Sequence, residues 1–262
     1  MVQIHKARKA VTVLGALLVA SLPVTGYADS VWGEFDTLDT ESVPLSGEPD
    51  DTFAGDVQFG YIAATGNSET TNLNGKTLLG WDLPKWRHAV SASGVYSEDG
   101  EETIAENYRA AYKTDRKLDG QNYLFGSLSW EQDEFSGYSE RTTEAVGYGR
   151  RILETDEHTL DAEIGIGARQ TELVDGAEQD ETIGRLAGNY LWRFAENSKF
   201  SQQLAIESGD VNTYAESVSS ITSQLLGKLD LVVSYTAKRN SEVPEGIENV
   251  DTYTTISLQY HF

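Results

Sequence analysis

Residues 250–262 constrain the fold more than any other stretch of this chain. Thr254, Ile256, Leu258, Tyr260 and Phe262 alternate with Tyr253, Thr255, Ser257, Gln259 and His261. Side chains of an extended strand point alternately to its two faces, so this segment needs an apolar medium on one side and a polar one on the other. The preceding segment repeats the pattern, with Leu229, Leu231, Val233 and Tyr235 opposite Asp230, Val232, Ser234 and Thr236. Residues 159–173 do so again, setting Leu160, Ala162, Ile164, Ile166 and Ala168 against Asp161, Glu163, Gly165, Gly167 and Arg169. In order, the period-two segments are 55–65, 71–82, 87–98, 106–118, 122–136, 141–153, 159–173, 182–194, 199–210, 214–226, 229–240 and 250–262, twelve in all. The Ser and Thr run in 214–226 suits either face. A membrane-spanning strand needs about 9–11 residues, and single-chain bacterial barrels have even strand numbers. The fold expected is all-β, a transmembrane antiparallel up-and-down β-barrel of about 12 strands running from about Gly55 to Phe262.

Connections, prolines and aromatics fit that order. Short turns are expected at 83–86, 119–121, 154–158, 195–198 and 227–228, alternating with longer connections at 99–105, 174–181 and 241–249, as inner turns and outer loops do. All five prolines, at 23, 44, 49, 84 and 244, fall outside every proposed strand, where a missing amide donor is tolerated. Trp81, Trp86, Tyr123 and Trp192 fall near the turn ends, with Tyr260 and the terminal Phe262. Trp130 and Tyr108 fall toward the loop ends, and the two sets match aromatic girdles at two membrane interfaces. Only 39% of residues are hydrophobic, which does not exclude a membrane protein, because alternation halves the hydropathy of a spanning strand. There is no Cys, so backbone pairing and packing alone must hold the fold.

The N-terminal segment sets the compartment. Lys6, Arg8 and Lys9 precede the apolar run 10–20, and small residues follow at Gly26 and Ala28. This is the pattern of a secretory signal over 1–28 with cleavage after Ala28; the run is too short to span a bilayer, which takes about 20 residues. From Asp29 to Phe53 there are eight acidic residues and no Lys or Arg, with Pro44 and Pro49 as breakers, so 29–54 reads as an acidic flexible leader. Cleavage takes the formal charge from −22 to −25, since no acidic residue precedes Asp29. Such a field repels nucleic acid.

The sequence carries no recognisable catalytic constellation, metal site or cofactor motif. His88, His158 and His261 lie at turn-side strand ends, with no Ser or acid beside a loop-side His to build a hydrolase. Carboxylates crowd the proposed outer loops (Glu98, Asp99, Glu101, Glu102; Glu131, Asp133, Glu134; Asp175, Glu178, Asp180, Glu181) without a cation-fixing spacing, as on a solvated acidic surface. Residues alternating with the lipid face carry both signs: Lys76, Arg109, Lys113, Arg151, Arg169, Arg185 and Arg193 beside Glu131, Asp161, Glu163, Glu207 and Asp230. A barrel of about twelve strands lies between filled eight-stranded barrels and open 16-stranded porins. Arg109, Arg169, Arg185, Glu163 and Glu207 therefore either line a thin channel or cross-link a sealed interior. Gly60, Gly126, Gly147, Gly149, Gly165, Gly167, Gly184 and Gly188 relieve crowding or allow bending in either case.

The terminal Phe262 with alternating apolar residues before it resembles the signal that hands outer-membrane barrels to the insertion machinery. Further stretches are similar to the YdiY-like family of salt-induced outer membrane proteins: 60–70 (GYIAATGNSET), 85–99 (KWRHAVSASGVYSED), 130–138 (WEQDEFSGY), 147–153 (GYGRRIL) and 239–262, where NSEVPEG is followed by Asp251 and Thr252. The resemblance implies a non-enzymatic barrel in the outer membrane, contacting lipid, with a narrow solute-channel or envelope-stress role. It leaves open the inducer, any solute and the oligomeric state. Two other classes remain on the residues alone, an outer-membrane hydrolase and a soluble periplasmic β-protein.

Overall fold

The computed structural model describes residues 52–64, 70–99, 102–133, 136–244 and 246–262. The signal segment, its cleavage after Ala28 and residues 29–51 of the leader lie outside them. Twelve strands follow one another: β1 Thr52–Ala64, β2 Thr70–Asp82, β3 Trp86–Asp99, β4 Glu102–Lys117, β5 Asn122–Asp133, β6 Tyr138–Glu154, β7 His158–Leu173, β8 Glu178–Ala195, β9 Ser198–Ser208, β10 Thr213–Leu226, β11 Leu229–Asn240 and β12 Val250–His261. Each pairs antiparallel with its neighbours in sequence, and β1 pairs with β12, closing the barrel. Closure leaves no unpaired strand edge.

The seam between β1 and β12 runs from Asp56↔His261 to Phe59↔Leu258. Gly55 and Phe262 extend it by exchanging backbone hydrogen bonds of 3.1 and 2.9 Å. The Phe262 ring lies over Gly55, where a Cβ would come within 2.6 Å of it, and packs 6.1 Å from the Phe53 ring and 6.5 Å from that of Tyr260. Phe262 thus covers the closing seam as part of a turn-side aromatic cluster.

The barrel is inside out relative to a water-soluble protein. Phe59, Val146, Ile164, Ile166, Leu186, Leu204, Ile221 and Leu258 are exposed on the outer wall, while Arg151, Asp161, Glu163, Arg169, Glu207 and Asp230 are buried within. Lipid in place of water reverses the usual sign of burial, and closed barrels are one of two ways to cross it with every backbone group paired. Trp81, Trp86, Trp192, Tyr260 and Phe262 are exposed at the turn-side rim, with Tyr108 exposed toward the other end. Trp130 lies half-buried on the outer wall between Leu128 and Gln132.

Three expectations are corrected. Tyr123, read as a girdle residue, is 0% exposed and faces inward. Asp133 and Glu181, read in outer loops, also point into the lumen and are buried, and of the two readings given for Glu131 the inward one holds. The connections read at 99–105 and 174–181 are shorter, because β4 begins at Glu102 and β8 at Glu178. Above the membrane both faces of a hairpin meet water, so the alternation fades while backbone pairing continues.

Candidate functional site

The inward positions of β4–β11 build a network of charges across the lumen. Lys238 on β11 pairs with Glu131 on β5, and Arg109 on β4 donates from Nη1 to Glu216 Oε2 on β10 at 3.3 Å. In a closed ring of twelve, β5 and β11 stand six strands apart, as do β4 and β10, so both pairs cross the full diameter. Arg141 on β6 adds a third tie, donating to Asn240 Oδ1 on β11 at 3.1 Å. Its guanidinium lies 3.7 Å from the centre of the Tyr138 ring and 5.1 Å from that of Tyr214. Asn107 Nδ2 bonds both Glu131 (2.9 Å) and Asp133 (3.0 Å), fixing the acceptor side of the first bridge.

A second cluster binds the β7–β9 wall. Arg169, 0% exposed, donates to Glu181 at 2.6 Å and stands 3.5 Å from Glu207, which also takes a 2.7 Å bond from Arg185. Glu181 in turn accepts the backbone N–H groups of Val211 and Asn212, each at 3.1 Å, tying the β9–β10 connection to the wall. Buried charges of this kind hold only when paired and hydrogen-bonded.

The turn-side half is filled differently. Tyr123 and Phe125 turn their rings from β5 onto β6 and β7, where Gly147, Gly149 and Gly165 leave room. A Cβ on Gly149 would lie 2.2 Å from the Tyr123 ring, and one on Gly147 would lie 2.6 Å from the ring of Phe125. Lys113 pairs with Glu163 above these rings, with its ammonium 5.6 Å from the Tyr123 centroid and 5.4 Å from that of Phe125. Arg87 lies 5.0 Å from the Tyr123 centroid and donates to Asp115 at 2.7 Å. The Tyr123 hydroxyl donates to Glu163 at 2.9 Å, and Arg151 holds Asp161 through two 3.0 Å bonds. Cations over aromatic faces and paired carboxylates make this a packed polar plug.

Among the described residues, part of a roof covers the outer mouth. Ser136, just after β5, donates to Asp251 Oδ2 on β12 at 3.0 Å. Gly137, at φ 95°, lies against Pro244 and Ile247 of the last connection, in a conformation glycine adopts freely. Asn212 and Asn240, joined at 2.8 Å, brace that connection through Ser241.

The five charges singled out from the sequence all lie inward, Arg169, Arg185 and Glu207 in one cluster, and Arg109 and Glu163 in two others. Lys238, Glu216, Arg141, Arg87 and Asp115 complete the network and were not singled out. Their inward phase is readable from alternation, but which partner they reach across the lumen is not. The histidines separate: His88 and His158 face outward, each with Nδ1 2.9 Å from a tyrosine hydroxyl, of Tyr112 and Tyr190. His261 faces inward, 3.6 Å from Asp230. Among the described residues, no group of three or more His, Cys, Asp or Glu is placed to hold a metal ion.

Among solved structures, a NanC porin is similar with a TM-score of 0.47 at 15% identity, over 79% of this chain and 97% of that one. A KdgM porin also reaches 0.47 at 10% identity, over 80% and 99%. An Escherichia coli (strain K12) protein described as Uncharacterized protein YdiY is 33% identical over 211 residues, 79% of this chain and 82% of that protein. The family model described as Protein of unknown function, DUF481 matches residues 57–262. By both the family model and the YdiY relative, the chain belongs to this YdiY-like family, described as of unknown function.

Proposed function

We propose that this chain is a non-enzymatic outer-membrane barrel whose lumen is held shut across its diameter, a narrow solute channel in its closed form. The observation that carries this reading is the pair of bridges Lys238–Glu131 and Arg109–Glu216, each joining strands six apart. Ion pairs that merely staple neighbouring strands would leave the axis free; these two lie on it. The roof at Ser136 and Gly137 and the Tyr123–Phe125 plug support the same reading from either end. The exposed apolar outer wall and the turn-side aromatic rim support a membrane location, since a soluble periplasmic β-protein would have to keep that surface in water. Export with cleavage after Ala28, delivery to the insertion machinery through Phe262 and a role in salt or envelope stress complete the proposal.

The mature protein refolded into lipid vesicles tests it. It is expected to run as a compact, heat-modifiable band on unboiled gels and to leave vesicle swelling in iso-osmotic glycine at the protein-free rate. A variant carrying Glu131→Ala, Lys238→Ala, Arg109→Ala and Glu216→Ala is expected to swell measurably faster. Swelling by wild type as fast as by the variant would refute the closed lumen, and absence of a compact form would refute the membrane barrel.

A further inference from the structure

Eight Arg and Lys side chains are buried in the lumen among the described residues, and seven of them have a carboxylate within ion-pair reach. Arg141 is the eighth. Its hydrogen-bond acceptor is an amide oxygen, Asn240 Oδ1, at 3.1 Å, and that oxygen also takes the Asn212 amide at 2.8 Å. Nε and Nη1 of the same guanidinium have no hydrogen-bond partner among the described residues, although Arg141 is only 6% exposed. The rings of Tyr138 and Tyr214, at 3.7 and 5.1 Å, offset part of the cost through their π faces but carry no full charge. A guanidinium does not shed its proton in a protein, so burial without a carboxylate calls for a counter-charge from elsewhere.

Beside Arg141 there is room for one. A cavity of about 20 Å3 is walled by Arg141, Tyr138 and Thr171 and bounded by Ser136, Gly137 and Pro244 of the roof. The Tyr138 hydroxyl, on a residue 1% exposed, is likewise without a partner. Two guanidinium nitrogens and one hydroxyl therefore offer donors at the same place. Two carboxylates share the wall, and neither competes for them. Glu181 is committed to Arg169 at 2.6 Å and to the backbone N–H groups of Val211 and Asn212, and Glu242 is exposed.

Size selects the ligand. Roughly 10–15 Å3 is enough for one water, so this cavity takes one species of about that size and excludes carboxylates, sulfate and phosphate. A water would satisfy the donors and leave the charge of Arg141 unbalanced; a monatomic anion does both. We propose that the cavity binds a single halide ion, chloride, as the counter-ion of Arg141, held by Arg141 Nε and Nη1 and the Tyr138 hydroxyl. The site exists only where β6 meets the end of β11 beneath the roof, so chloride stabilises the folded barrel by mass action.

Equilibrium urea unfolding of the full mature barrel in lipid vesicles tests it, with chloride exchanged for gluconate at constant ionic strength. Once chloride exceeds its dissociation constant, the folding equilibrium constant is expected to rise about tenfold for each tenfold rise in chloride. Bromide is expected to act alike, and gluconate, too large for the cavity, to be inert. Arg141→Met is expected to abolish the dependence, and Arg150→Met, at an exposed position on the outer wall, to leave it intact. Tyr138→Phe removes one donor and keeps the ring. It is expected to shift the dependence to about tenfold higher chloride, and it carries the test if Arg141→Met gives no compact band. A wild-type constant that ignores chloride would overturn the proposal and leave a bound water only. Equal dependence in Arg141→Met or in Tyr138→Phe would overturn the assignment of the site. Vesicle swelling in glycine reads closure of the lumen without varying chloride, so failure of this site and failure of the closed lumen are told apart.

Discussion

Replacing Gly149 by alanine is the sharpest perturbation of the plug. The added Cβ would stand 2.2 Å from the Tyr123 Cε2 and Cζ atoms, well inside the 3.4 Å at which ordinary contact begins, so the ring must retreat by more than 1 Å. Tyr123 has nowhere to go: Arg87 and Lys113 lie over its face, and its hydroxyl is bonded to Glu163 at 2.9 Å. Overpacking of this kind costs about 1–3 kcal/mol, and loss of the buried hydroxyl bond adds about 1 kcal/mol. Equilibrium urea unfolding in lipid vesicles, followed by tryptophan fluorescence, would read this as a destabilisation of roughly 2–4 kcal/mol. The same substitution in a Tyr123→Ala background is expected to cost under about 0.5 kcal/mol, since the ring that it strikes is gone. Gly188→Ala, whose Cβ would meet only the Asp161 carbonyl at an ordinary 3.7 Å, serves as the control and is expected to be nearly neutral. Equal costs for Gly149→Ala in both backgrounds would refute the cradle.

Other sites make comparable claims. Arg169→Met strips the cation from between Glu181 and Glu207 and is expected to destabilise the barrel by about 3–5 kcal/mol in the same unfolding assay, whereas an exposed arginine such as Arg150 should cost under about 0.5 kcal/mol. Phe262→Ala removes the ring that covers Gly55 and is expected to slow folding into vesicles, read as slower appearance of the compact band; an unchanged rate would deny the seam cluster that role. The Asp119 carboxylate accepts N–H groups from Gln121 and Asn122 at the β4–β5 turn, which holds its pKa below the ordinary carboxylate value. A lowered pKa in the folded state means that this stabilisation is complete above the ordinary carboxylate range and is lost as pH falls through the lower folded value. The amide resonances of Gln121 and Asn122 should therefore titrate with a midpoint below 3.8, and a midpoint at or above that would contradict the turn geometry.

The strands and their faces were legible because lipid and lumen impose opposite polarities on a period of two. Leu229–Val233 and Thr254–Phe262 could be assigned a side without any structure. Tyr123 shows where a cruder signal misled: its place near a turn suggested a girdle, yet the phase of β5 puts it with Phe125 and Glu131, opposite Leu124, Leu128 and Trp130. Phase is the physical constraint and position along the strand only a correlate. The glycines of β6 and β7 could be recognised as relief of crowding, but not as a bed for two particular rings, because that contact joins strands through space. The same holds for the lumen. Alternation says that Lys238 and Glu131 face inward; it is the closure of twelve strands that sets them opposite one another.

Planar-bilayer recording tests the closed lumen most directly. Wild-type protein inserted at moderate voltage is expected to give no resolvable unitary current. The variant lacking Glu131, Lys238, Arg109 and Glu216 side chains is expected to give discrete steps, because both diametral ties are removed while the wall stays paired. Steady unitary currents from wild type, equal in size to those of that variant, would contradict the account.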